Sequence, residues 1–141
     1  MNRKILVGSQ YFFKDIEGFN SKDVDYLILD YIPKNYKEKY QISGNGQCLF
    51  RWKKMSADNF IKNALETKLP MEIGKFFVVD FARMVGITIN HLKQLEPVLE
   101  KLDEKHLYLK VIYNSYIENN DFVLTQEQRL LAYEEYKKAR E

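Results

Sequence analysis

Gly8-Ser9 and Asp23-Val24-Asp25 are the residues of this 141-residue chain whose types and order could do chemistry together. A Gly-Ser turn that closes an apolar run and leads into a helix exposes backbone N–H groups and a hydroxyl, a setting suited to phosphate. Two aspartates at i and i+2 on a strand share a face and lie about 7 Å apart along the chain. Carboxylate oxygens are the hard ligands Mg²⁺ takes, one or two of them together with substrate phosphates. Lys14, Lys22 and Arg51 are candidate charge partners for a phosphate held there. Taken singly, Gly-Ser marks an ordinary turn and Asp-Val-Asp a solvated start to a strand. The order and spacing are what suggest one site.

The elements that must position these groups divide the chain into two parts. Residues 3–54 read as strand-rich. "KILVG" is an apolar strand ended by Gly8, and "QYFFKDIEGF" supplies one or two helical turns stopped by Gly18. "VDYLILDYI" is β-branched and aromatic, with Pro33 beyond it. In "QISGNGQCLFRW" the turn Ser43-Gly44-Asn45-Gly46 suggests a hairpin.

From residue 55 the periodicity is helical. Ser56 is a good N-cap for a helix carrying Phe60, Ile61, Ala64 and Leu65, and a second helix is expected from Met71 to Val85 with Gly86 as its stop. Thr88 can cap a third, in which Pro97 either makes a kink or starts a fresh helix. "HLYLKVIYNSYI" is apolar on nearly all sides and suits a central buried helix. Thr125 with Gln128 forms a capping-box start for the last one. The expected architecture is a single α+β domain over 1–141, a small mixed sheet in 1–54 followed by a helical bundle in 55–141.

Composition narrows the functions. Apolar residues make up 45% of the chain, with ten Tyr and nine Phe, which favours a packed core over disorder. A net charge of +2 is too small to signal nucleic-acid binding by itself. One cysteine, Cys48, cannot close an internal disulfide, and His91 and His106 lack metal-ligand spacing. No apolar run reaches the roughly 20 residues that span a bilayer. The expectation is a soluble, cytoplasmic protein with no membrane partner.

The ordered pattern Ile5-Leu6-Val7-Gly8-Ser9, thirteen intervening residues, then Asp23-Val24-Asp25-Tyr26-Leu27 resembles the signature of the nucleotidyltransferase fold of the DNA polymerase beta superfamily. The segment around Lys62, Pro70 and Glu72 is also similar to a helical region of small nucleotidyltransferases of that kind. The resemblance implies a nucleotidyltransferase-like N-terminal core that holds a nucleoside triphosphate at Gly8 and Ser9 and Mg²⁺ on Asp23 and Asp25. The reaction it implies is nucleotidyl transfer to a hydroxyl on a nucleic acid, a protein or a small molecule. Members generally carry a third carboxylate on a following strand. Here that strand is expected at "GQCLFRWKK", which has no acid and offers Arg51 instead.

Asp80 is the remaining candidate for a third catalytic acid. On a helix over 71–85 it falls among Ile73, Phe76, Phe77 and Met84; alternatively "FFVVDF" is a strand that presents it between apolar residues. A charge in an apolar stripe needs a partner, and a structural ion pair competes with a metal role there. A second functional reading uses residues 32–54, where Lys34, Lys37, Lys39, Arg51, Lys53 and Lys54 face Glu38 alone. Interleaved Tyr36, Tyr40 and Trp52 could stack on bases, giving a non-catalytic binding module for nucleic acid or a protein partner.

Overall fold

The computed structural model describes residues 3–19, 25–29, 47–52, 55–66 and 86–141. Strand β1 (Arg3–Val7) ends at Gly8, whose φ of 75° and ψ of −155° lie outside the regions open to L-residues. The chain turns there into the short helix α1 (Ser9–Phe13), with the N–H groups of Tyr11 and Phe12 donating to the Gly8 carbonyl at 3.1 and 3.3 Å. Gly18, with φ of +86°, marks the turn beyond α1. Strand β2 (Asp25–Leu29) pairs antiparallel with β1, and β3 (Gln47–Trp52) pairs parallel with β2. The order is β1-β2-β3.

The partner found for 47–52 is therefore β2. The expected turn at 43–46, and the strand that would complete a hairpin, lie outside the described residues. So does the helix expected over 71–85.

The helices follow their local signals. Helix α2 (Ala57–Leu65) starts where the Ser56 hydroxyl accepts the Asn59 N–H at 3.2 Å, which satisfies one of the unpaired donors of the first turn. It buries Phe60, Ile61 and Ala64 on one face. Gly86, at φ +93°, precedes Thr88, which caps α3 (Ile89–Gln94) in a reciprocal box with His91. Pro97 resolves the open choice at that point: the chain breaks at Leu95 and starts afresh as α4 (Glu96–Leu99), with Pro97 in the first turn where its missing N–H costs nothing.

A 3₁₀ turn (Glu104–His106) leads into α5 (Tyr108–Asn119). This is the central buried helix expected from its apolar run, with Leu109 and Ile112 fully enclosed. It closes on Asn120 in the left-handed conformation at φ 52°, and the Asp121 N–H returns to the Tyr116 carbonyl at 3.2 Å. Helix α6 (Gln126–Lys138) begins at the Thr125–Gln128 capping box. The rings of Tyr108 and Tyr136 meet at 5.4 Å, so the start of α5 lies against the end of α6.

Among the described residues, the buried apolar cluster runs through α1 to α6, from Phe12 and Phe13 to Tyr133 and Tyr136. This corrects the expected α+β class. The described residues are mostly helical, and helices packing on helices, rather than a sheet with helices laid over it, organise the core. The buried side chains of this cluster come from the helices and the segments between them. No described helix is long and apolar enough to cross a membrane.

Candidate phosphate and metal site

The antiparallel register of β1 and β2 places Val7 opposite Asp25. Directly paired residues on antiparallel strands have Cα atoms about 4.5–5.5 Å apart. The Gly8-Ser9 turn therefore begins beside the first residue of β2. Gly8 is buried and Ser9 is half-buried. Two of the groups singled out by type and order, the turn and Asp25, are thus neighbours along the backbone. Asp23, Lys22 and Asp80 lie outside the described residues.

Strand β3 completes the surroundings of Asp25 in an unexpected way. The register partner of Asp25 on β3 is Gln47, while Arg51 is the partner of Ile28. The ladder steps from Tyr26↔Cys48 to Leu27↔Phe50, leaving Leu49 as an extra residue on β3. Arg51 lies four residue steps along the strand from Gln47, about 13 Å at 3.3 Å per residue. An uncharged amide residue, not a guanidinium, thus stands at the level of Asp25. Lys14 is exposed immediately after α1. Among the described residues, no group of three or more His, Cys, Asp or Glu converges.

The turn is held from behind. Phe13 is fully buried, with its ring 5.3 Å from those of Tyr133 and Tyr136 and 5.6 Å from Tyr108. Arg129, on α6, donates through Nε to the Phe12 carbonyl at 2.6 Å and through Nη2 to the Asp15 carboxylate. Neither partner is visible from sequence, because the contacts span 117 and 114 residues and Arg129 sits in a helix rich in charged residues.

The histidines serve local structure. His91 Nδ1 takes the Thr88 N–H at 3.2 Å and its Nε2 lies 3.3 Å from Asp58, joining α3 to α2. His106 pairs with Asp103, three residues away. Of the basic and aromatic stretch 32–54, only 47–52 is described, with Trp52 in register with Leu29. No family model, curated protein or solved structure matches the chain.

Proposed function

We propose that this chain binds a nucleoside triphosphate with Mg²⁺ at the Gly8-Ser9 turn and serves nucleotidyl transfer to a hydroxyl acceptor. The observation that carries this reading is the Val7–Asp25 pairing, which sets a carboxylate residue beside a turn that only glycine can make. The reading rests on that juxtaposition, and not on a fold class.

The donor set suits the ion. Mg²⁺ is held by one or two carboxylates while phosphates and water complete its shell. Asp25 meets that need, and the sequence supplies Asp23 two positions earlier. When bound, Mg²⁺ would neutralise charge on the transferring phosphoryl group. Gly8, lacking a side chain, lets the phosphates approach the backbone, and the half-buried Ser9 offers a hydroxyl donor. In the reaction the acceptor oxygen bonds to the α-phosphorus, the bond from that phosphorus to the β-bridging oxygen breaks, and pyrophosphate leaves. The acceptor's proton passes to solvent through a site carboxylate.

Calorimetry with ATP, GTP, CTP and UTP, each with and without Mg²⁺, tests the proposal. Binding heat should require the metal and vanish in Asp23→Asn/Asp25→Asn. A wild-type protein giving no metal-dependent heat with any of the four would sink it.

A further inference from the structure

We propose that Arg129 is the positioning residue through which α6 sets the Gly8-Ser9 turn, a role that rests on the nucleotide reading above for its functional meaning. A helix of five residues does not persist by its own hydrogen bonds, so α1 takes its place from what it packs against. Phe13 anchors its apolar side. Arg129 anchors its polar end, where the last carbonyls have no partner within the helix.

The guanidinium is spread over three acceptors. Nε meets the Phe12 carbonyl at 2.6 Å, Nη2 meets the Asp15 carboxylate, and Nη1 meets Gln126 Oε1 on its own helix at 3.2 Å. The side chain is largely buried, with one-fifth of it exposed. A planar fork held at three points is fixed in orientation, which a flexible ammonium would not be. The residue it grips is one of the two that reach the turn, since Phe12, like Tyr11, donates its own N–H to the Gly8 carbonyl, at 3.3 Å. Hydrogen bonds therefore lead from α6 to Phe12, from Phe12 to Gly8, and the strand register continues from Val7 to Asp25. Moving Arg129 moves the backbone that would meet the phosphates, although its own side chain is engaged elsewhere.

Site-resolved amide hydrogen exchange on the full chain without nucleotide tests this directly. In Arg129→Met the Tyr11 and Phe12 amides should exchange about tenfold faster, the loss of one hydrogen bond to a charged group, while amides of α5 keep their protection. Arg129→Lys, which keeps the charge but lacks the planar fork, should restore part of the protection. Asp15→Asn, which leaves the guanidinium and its bond to Phe12 in place, should give a smaller acceleration and replaces Arg129→Met if that variant does not fold.

Unchanged Tyr11 and Phe12 exchange, or equal acceleration in α5, would overturn the proposal; the second outcome would make Arg129 a general stabiliser. A parallel titration with ATP and Mg²⁺ should show affinity about tenfold weaker in Arg129→Met, and equal affinity would count against positioning. If wild type binds no nucleotide, the nucleotide reading falls by itself, and the exchange measurement still decides whether Arg129 sets the turn.

Discussion

The two ends of this molecule are ordered by different means. Around the Gly8 turn, position comes from backbone register: Val7 with Asp25, Asp25 with Gln47, and the Gly8 carbonyl with two amides of α1. Around α5 and α6 it comes from side chains, with rings of Phe13, Tyr108, Tyr133 and Tyr136 meeting one another and the Arg140 guanidinium lying 3.7 Å over Tyr136. The difference teaches where each property resides. The candidate groups sit where main-chain hydrogen bonds fix geometry, and the buried apolar cluster of the described residues sits where helices meet.

Phe13 belongs to both regions, so its loss should be the largest single effect. Phe13→Ala should cost about 3–5 kcal/mol, the usual range for emptying a fully enclosed phenylalanine site, read from the urea midpoint. A cost below about 1 kcal/mol would break the comparison by showing that the ring does not join the two ends. Gly8→Ala comes next, at about 1–3 kcal/mol for forcing an L-residue into this backbone conformation. It should also abolish the metal-dependent nucleotide heat proposed above, because the turn itself is displaced.

Thr125→Ala weakens the start of α6, the helix that carries Arg129. It removes the hydroxyl that accepts the Gln128 N–H and should cost about 1 kcal/mol, with nucleotide affinity falling less than in Arg129→Met. A loss of nucleotide affinity as large as that of Arg129→Met would mean that the helix cap, and not the guanidinium, sets the turn.

The smallest effect concerns pH. Burial, with a lesser contribution from Glu96, raises the Tyr113 hydroxyl above its usual value of 10.0. The folded protein thus holds this proton more tightly than the unfolded chain. The associated stability is present below pH 10 and is lost as pH rises through the folded value. Urea midpoints at pH 9 and pH 11 should fall between the two, and Tyr113→Phe should flatten that decline.

What could be read from sequence was short in range. Ser56, Thr88 and Thr125 announce helix starts because a cap and its donor lie three residues apart. Pro97 announces a break, and the run through Tyr108–Asn119 announces burial, for similarly local reasons. At the candidate site, Gly8 and Asp25 were legible as types in order, but the α+β expectation gave the strands too central a place. The choice of β2 as partner for β3, and of Gln47 rather than Arg51 opposite Asp25, depends on a ladder and a bulge that no local pattern encodes. Arg129 was invisible for the same reason, being one of many surface-type cations until the chain folds α6 against α1.

The conformation of Gly8 carries one more consequence. Its φ of 75° and ψ of −155° are close to the mirror image of the extended polyproline conformation. For a single residue the chain has the handedness of a D-peptide. Every encoded replacement for glycine is an L-residue and meets the same steric objection, whatever its size or charge. A chemically synthesised chain with D-alanine at this position would match the backbone that L-alanine opposes, so the pair would separate the stereochemical demand of the turn from its need for a bare α-carbon.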